Sequence, residues 1–280
     1  MKCNFIQIKS KDKKNINLNN NQVLEFFKLS VGNSIYIKDY NKNKKESSDN
    51  NLEISYYKNY IKSNIGKMIY TGYNKKIKIF SEIFISNNKK RAKIILNNKQ
   101  YELKENLEHQ RQFIQIIKIK LFDYIFYSNC MFQNCKSLSS VKHFQNIKTN
   151  YLKEIYSLFE GCSSVEELPD ISKWNTNKII NMSDLFCGCS KIKYLPDISN
   201  WNISNVKDIS RMFSQCSLVE ELPDISKWNT NKIINMSDLF CGCSKIKLLP
   251  DISNWNLSNV KDISKMFCEC SLLNSLPNIS

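Results

Sequence analysis

The cysteines are the residues of this chain whose number and spacing could carry chemistry. There are eleven of them among 280 residues, and six form C-x-C pairs: Cys187 with Cys189, Cys241 with Cys243, and Cys268 with Cys270. A closed zinc site needs four converging ligands, whereas the equivalent pairs that begin at Cys187 and Cys241 lie 54 residues apart. We therefore expect packing cysteines, with the second of each pair buried and the first near the surface, and we predict neither a metal nor a cofactor.

The remaining reactive side chains also favour structure over catalysis. Nothing in the sequence around the two histidines, His109 and His143, suggests that either forms a Cys–His dyad. In four successive repeats one aspartate directly follows the proline: Asp170, Asp197, Asp224 and Asp251. They could bind calcium, which needs six to eight oxygens, but hydrogen bonds to turn amides are the favoured interpretation. Because phosphate-loop and hydrolase motifs are missing as well, the sequence predicts no enzyme and no catalytic residues.

The elements that must position these residues are repeats of 27 residues. Phenylalanine and cysteine keep this period from Phe132 and Cys135 onward, and residues 165–193 are identical to residues 219–247. A fixed period of this length indicates a stack of similar units. The predicted repeat core comprises Phe159, Cys162, Phe186, Cys189, Phe213, Cys216, Phe240, Cys243, Phe267, Cys270, Trp174, Trp201, Trp228 and Trp255.

Local signals inside a repeat predict one short helix and one short strand. Asn181 suits a helix N-cap, Met182, Leu185 and Phe186 share a helical face, and Gly188 suits the C-terminus. A core-facing strand is expected over residues 192–195. The predicted fold class is thus an α/β solenoid: a leucine-rich-repeat-like right-handed array with one short strand and one short helix per repeat, preceded by a small β-rich N-terminal unit.

Three domains are expected from these patterns. Residues 1–50 form a poorly defined basic region rich in Asn and Lys, with apolar segments at 23–27 and 34–37 and a polar linker at 41–51. Residues 51–127 form the small β-rich domain, with strands expected at 68–70, 77–80, 83–85 and 112–126 and a hairpin around Asn97 and Asn98. Residues 128–280 form an array of about five to six repeats.

The charge distribution bears on partners. Nearly all of the net charge of +15 lies in residues 1–128, which suits nucleic acid or an anionic membrane. Arginine, the preferred reader of bases and phosphates, occurs only at Arg91, Arg111 and Arg211, so no nucleic-acid partner is predicted. The chain shows neither a secretory leader nor an apolar run of membrane-spanning length, which predicts a cytoplasmic protein, with the cell surface as the alternative.

The repeats resemble those of the BspA-like leucine-rich-repeat family of bacterial surface proteins, in a protist-like form. The segments LPDISKWNTNKIINMSDLFCGCSKIK, from Leu168, and LPDISNWNISNVKDISRMFSQCSLVEE, from Leu195, carry the resemblance. It covers just over half of the chain. The resemblance implies a right-handed solenoid used for attachment to proteins or surfaces, and it implies no catalytic residues.

Together these patterns favour a non-enzymatic scaffold that binds a protein partner through its repeats. A secreted or cell-surface adhesin of the BspA-like type is the alternative. Two further expectations concern the ends of the array. The N-terminal unit should cover the first repeat, and the last repeat, which lacks a polar cap, is expected to support self-association.

Overall fold

The computed structural model describes residues 6–9, 15–18, 65–72, 76–96, 99–108, 113–121, 127–147 and 149–276. The chain divides into two compact units, Met1–Ile61 and Lys62–Ser280. In the first unit, strands β1 (Ile6–Lys9) and β2 (Asn15–Leu18) pair antiparallel. The apolar segments and the linker expected between residues 23 and 51 lie outside the described residues. The predicted domain boundaries at residues 50 and 127 stay predictions.

The second unit begins with an antiparallel sheet of five strands: β3 (Ile65–Gly72), β5 (Ala92–Leu96), β6 (Lys99–Tyr101), β8 (Phe113–Leu121) and β9 (Leu138–Lys142). Their order in the sheet is β6-β5-β8-β3-β9. A second sheet pairs β4 (Lys76–Lys78) with β7 (Asn106–Glu108). A 3-10 helix spans Phe144–Asn146. Among the described residues no helix is of a length and apolarity that would carry it through a membrane.

The sheet follows the apolar alternation of its sequence. Met68 and Tyr70 point into the core from β3, as do Ile117 and Ile119 from β8. The predicted hairpin is confirmed, because β5 and β6 pair antiparallel on either side of Asn97 and Asn98. The strand expected at residues 83–85 is wrong. These residues lie in helix α1 (Glu82–Asn88), which begins where the Ser81 side chain accepts a hydrogen bond from the amide of Phe84.

The predicted α/β solenoid of leucine-rich-repeat type is wrong. Helix α1 is the one α-helix of the described residues, and the strands of the sheets are antiparallel. Residues 149–276, all described, contain no α-helix and no extended strand. Each 27-residue unit is instead a run of tight turns that meets the next unit through single parallel bridges, which join Tyr127, Glu154, Asn181, Asp208, Asn235 and Asp262 in sequence. We call residues 127–276 the turn ladder and each unit a rung. The first rung is the partial unit 127–140, and the complete rungs are residues 141–167, 168–194, 195–221, 222–248 and 249–275.

Backbone conformation explains why no helix forms in a rung. Asp184, in the middle of the predicted helix, has a φ of 56°, which interrupts the right-handed turn, and Gly188 has a φ of 73°. The amides of Asp184 and Gly188 donate to the carbonyls of Ser210 and Ser214 in the next rung, at 2.9 and 2.8 Å. A helix would direct these amides to carbonyls four residues earlier. The next rung thus accepts the hydrogen bonds that a helix would make internally.

Stacked side chains fill the interior of the ladder. The Phe rings of successive rungs stack with centroids 5.6 to 6.1 Å apart, from Phe132 to Phe267. At the start of the ladder, Phe80 packs on Phe132, and the Ser81 amide donates to the Met131 carbonyl. Strand β9 belongs both to the sheet and to the first rung, because Ser140 also bridges in parallel to Glu167. Sheet and ladder therefore share one core.

Candidate functional site

The predicted core residues lie together along the axis of the turn ladder. Twelve of the fourteen are buried, and Phe267 and Cys270 are partly buried against the same core. Each tryptophan donates its indole N–H to a backbone carbonyl one rung back, for example Trp201 to Ile171 at 3.0 Å. The indole N–H groups of the tryptophans thus have acceptors inside the ladder, and their buried rings form no exposed aromatic row.

The cysteines of the 27-residue register, which include the second of each C-x-C pair, face the core, and Cys270 is the partly buried one at the end of the ladder. The Cys216 thiol donates to the Phe186 carbonyl at 3.2 Å, and the Cys243 thiol donates to the Phe213 carbonyl at 3.1 Å. Burial raises the pKa of Cys216 well above its ordinary value and that of Cys243 to about 12. A thiol that keeps its proton at neutral pH is a poor nucleophile. Cys187, Cys241 and Cys268 lie nearer the surface.

The aspartates of the proline turns serve the backbone. Asp197 accepts a hydrogen bond from the amide of Ser199 at 2.9 Å, and the same bond recurs at Asp170, Asp224 and Asp251. Hydrogen bonds from Ser199 hold the pKa of Asp197 below its usual value. His143 opens the 3-10 helix with a φ of 66°, and His109 lies outside the described residues. Within the described ranges no group of three or more His, Cys, Asp or Glu side chains could hold a metal ion.

A charged pair that the sequence patterns did not reveal lies at the tight turn of the rungs. Arg211 Nε lies 2.8 Å from Asp184 Oδ1, and Nη2 donates to Oδ2 at 3.1 Å. Asp184 is largely buried, and this burial raises the pKa of its carboxyl although Arg211 opposes the shift. The same position holds Asp238 and Lys265 in the next two rungs, so acid and base alternate there.

A row of lysines, separate from the turn that holds Asp184 and Arg211, is the surface feature best suited to bind a partner. One lysine projects from each of five successive rungs, alternately from two positions two residues apart: Lys153, Lys178, Lys207, Lys232 and Lys261. All five are exposed. We call these five lysines, together with Asn177, Ile180 and Asn205 on the surface between them, the lysine groove.

Four of these lysines line one open groove, together with Ile180, Asn177 and Asn205. Ile180 is 44% exposed, and its equivalent two rungs on, Ile234, is 37% exposed. The Lys232 ammonium donates to the Asn205 side-chain oxygen at 2.7 Å, and the Lys178 ammonium lies 5.2 Å from the centre of the Tyr151 ring. The groove therefore combines amines with amide and aliphatic side chains.

The lysines of the groove lack carboxylate partners among the described residues. None of the five forms an ion pair with another described residue. Acidic residues do follow the odd-rung lysines, but the carboxylates of Asp208 and Asp262 accept hydrogen bonds from the amides of Ser210 and Ser264. The groove is thus a stripe of ammonium groups without ion-paired carboxylates, on an array whose net charge is nearly zero.

The 27-residue register conceals this row. Neighbouring lysines are separated by 25 and 29 residues in turn, so they never share a repeat position. The signal that could have revealed them is the 54-residue period, which relates Lys153 to Lys207 and Lys261, and Lys178 to Lys232.

Comparison with known proteins identifies a family for the ladder. The family described as Mycoplasma protein of unknown function, DUF285, matches residues 127–222 and 196–279. No curated protein and no solved structure shows significant similarity to the chain.

Proposed function

The chain belongs to the DUF285 family, and we propose that it is a non-enzymatic scaffold whose lysine groove binds an extended acidic segment of a protein partner. The observation that carries the proposal is the row of five exposed lysines without carboxylate partners. Buried thiols, turn-bound aspartates and near-identical rungs support a binding role over catalysis. A catalytic site needs one asymmetric group of residues, whereas a ladder offers the same groups at every second rung.

The dimensions of the groove suit a short extended peptide. Adjacent bridged rungs are separated by about 5 Å, as neighbouring strands are, so five lysines span about 20 Å. An extended peptide rises about 3.3 Å per residue, and about six residues cover that length. Its alternate side chains would give carboxylates to the lysines and aliphatic groups to Ile180 and Ile234, which are exposed between them.

The composition of the groove favours a protein over a nucleic acid. Arg91 and Arg211, which the structure describes, lie outside the groove. Without arginine, the groove can bind a phosphate only as a point charge and lacks the bidentate geometry that arginine provides. Single-stranded nucleic acids also need a run of aromatic platforms on which successive bases stack, whereas here the described contacts place one ring, Tyr151, beside Lys178. We place the scaffold in the cytoplasm.

The test uses the full chain and a fluorescein-labelled peptide of twelve residues in which Glu and Val alternate. Fluorescence anisotropy should show binding that weakens as salt is raised, because exposed charges are screened. In the variant Lys178→Glu/Lys232→Glu, each substitution removes one attraction and adds one repulsion. Four such exposed contributions of about 0.35 kcal/mol should weaken binding about tenfold. The control Lys191→Glu/Lys245→Glu makes the same charge change on the same two rungs at exposed positions outside the groove.

The control separates the groove from general attraction. Equal losses in the two variants would contradict a specific groove, and no peptide binding at low salt would contradict the acidic partner. Binding of oligo(dT) or of phosphatidylserine vesicles, lost in the groove variant while the peptide does not bind, would assign the groove to a different class of partner and overturn the proposal.

The adhesin function suggested by the BspA-like resemblance is a separate proposal, as is self-association through the last repeat. Both stay predictions of the sequence. Surface biotinylation of intact cells tests the adhesin, since a cytoplasmic scaffold would be labelled only after lysis.

A further inference from the structure

Two of the less buried thiols occupy the same position in adjacent rungs. Cys241 and Cys268 are 27 residues apart, and their side chains lie close enough for each to affect the ionisation of the other. The surrounding backbone is fixed: the Gly242 amide donates to the Cys268 carbonyl at 2.7 Å. Each cysteine amide also closes a turn of the same kind, onto Asp238 and Lys265 at 3.0 Å. Parallel neighbours about 4.8 Å apart fall inside the Cα separation that a disulfide spans.

These thiols differ from the core thiols beside them. Cys243 and Cys270 donate to the carbonyls of Phe213 and Phe240 and belong to the packing of the ladder. Cys241 is half-buried and Cys268 is exposed. An oxidant in solution therefore has access to Cys268 first, with Cys241 next to it.

The duplicated repeat provides an internal control. Cys187 lies in residues 165–193, which are identical to the residues 219–247 that contain Cys241. One rung on, however, Cys187 meets Ser214 where Cys241 meets Cys268, and one rung back its position is held by Glu160. The two cysteines thus have the same local sequence and differ in whether a thiol lies on the next rung.

We propose that Cys241 and Cys268 form a reactive dithiol site that closes to a disulfide by exchange with small-molecule disulfides. The Cys268 thiolate attacks one sulfur of the small disulfide, whose S–S bond breaks and releases one thiol. Cys241 then attacks the Cys268 sulfur, the mixed S–S bond breaks, and the second thiol leaves. The two protons of the cysteines end on the two released thiols, so the protein is oxidised by two electrons and the small disulfide is reduced.

The order of attack follows from the surroundings of the two thiols. Burial, with the neighbouring Cys268 adding to it, raises the pKa of Cys241 to about 11. Cys241 is therefore the weaker nucleophile toward a free oxidant, and it reacts once the mixed disulfide places a sulfur beside it. The resulting bond would join the rung of Lys232 to the rung of Lys261, two members of the lysine groove.

The experiment uses the full, reduced chain incubated with oxidised glutathione at pH 8, blocked with N-ethylmaleimide and digested with endoproteinase Asp-N for mass spectrometry. Cleavage before aspartate leaves Cys187 and Cys241 in peptides 184–196 and 238–250, which differ at Tyr194 and Leu248. We expect a peptide pair joined through Cys241 and Cys268 as the main product, with Cys187 in no joined pair and carrying glutathione or N-ethylmaleimide. In Cys268→Ser, the joined pair should disappear and Cys241 should be modified in the same way as Cys187. In Ser214→Cys/Cys241→Ser, where Cys187 is the neighbouring thiol left to the introduced cysteine, a joined pair should form between Cys187 and the introduced thiol.

Two results would overturn the proposal. The first is glutathione on both Cys241 and Cys268 with no joined pair. The second is a joined pair at Cys241 that forms no faster than links between the core cysteines, because that would report unfolding instead of a surface site. The far-UV circular dichroism of each variant before oxidation shows whether the fold is retained, and the wild-type result alone decides the proposal if a variant does not fold.

Discussion

The sheet of residues 65–121 and the turn ladder satisfy their backbone hydrogen bonds in different ways. In the sheet, β3 and β8 pair antiparallel over eight residues, and side chains alternate between the two faces. In the ladder, alternate amides reach the next rung and the others close turns within their own rung, as Cys187 does onto Asp184 at 3.1 Å. A chain can therefore fill a long core without regular secondary structure when the same turn recurs in every rung.

The same difference separates the roles of side chains. In the sheet each core residue has its own neighbours, whereas in the ladder each core residue stacks on copies of itself. A substitution in the middle of the ladder should therefore disturb the rungs on both sides, and a surface position gains its properties from what stands one rung away. The predictions below test these consequences.

The largest effect should follow from removing one ring of the Phe stack. Phe213→Ala leaves a cavity between Phe186 and Phe240, whose ring centroids lie 6.0 and 5.7 Å from that of Phe213. We expect a loss of about 3–5 kcal/mol in the free energy of unfolding, measured by urea titration with tryptophan fluorescence. Tyr194→Ala, at a residue 81% exposed, should change it by less than about 0.5 kcal/mol. Similar small changes in both variants would show that the stack does not hold the rungs together.

Next in size is a loss of stability at alkaline pH that begins in the ladder, because its buried thiols ionise in the unfolded state at lower pH than Tyr70, the buried phenol of the sheet whose pKa burial also raises. Burial raises the pKa of Cys216, so the folded thiol keeps a proton that the unfolded thiol loses above about pH 9. The unfolded state then binds fewer protons, and the free energy of unfolding falls as pH rises, by up to about 1.4 kcal/mol per pH unit for each such thiol.

Urea titrations of wild type and Cys216→Ala between pH 7.5 and 10.5 measure this contribution. The variant should be less stable at pH 7.5 and should lose stability less steeply above pH 9. Parallel pH profiles for the two proteins would contradict a protonated, buried Cys216.

A smaller effect is expected at the turn where charges alternate between rungs. Arg211→Ala leaves the buried Asp184 carboxylate without its partner and should cost about 1 kcal/mol at pH 7, since Arg211 is half exposed. The pKa of Asp184 is already raised by burial, and without Arg211 it should rise further. The cost should therefore shrink as pH falls and Asp184 becomes protonated. In the background of Asp184→Asn, the same Arg211 substitution should be nearly neutral. A cost that persists at low pH would point to lost packing instead of lost charge.

Much of the register was predictable from the sequence. The 27-residue spacing of Phe, Cys and Trp identified positions that the structure stacks, and the Asn97–Asn98 turn identified a hairpin. These signals depend on chemistry that repeats or on a local turn preference, both of which are visible in the residues themselves.

The conformation of the rung could not be predicted in the same way. Asn181, Met182 and Phe186 satisfy the local pattern of a capped helix, but Asp184 adopts a left-handed φ because amides gain partners in the next rung. Such partners are non-local and leave no local signal. The sequence analysis did not predict the lysine groove for a related reason. Its lysines alternate between two repeat positions and follow only the 54-residue period.

The most direct test of the account is to identify the acceptors of the rung amides. Scalar couplings across hydrogen bonds, measured by NMR on deuterated protein, connect an amide nitrogen to its acceptor carbonyl. The rung of residues 195–221 is suitable because, unlike the duplicated rungs, its sequence occurs once in the chain. The account predicts that the Arg211 and Gln215 amides couple to the carbonyls of Ser237 and Cys241, at N···O distances of 2.9 and 2.7 Å. Coupling of the Gln215 amide to the Arg211 carbonyl, four residues earlier, would establish a helix in the rung and contradict the turn ladder.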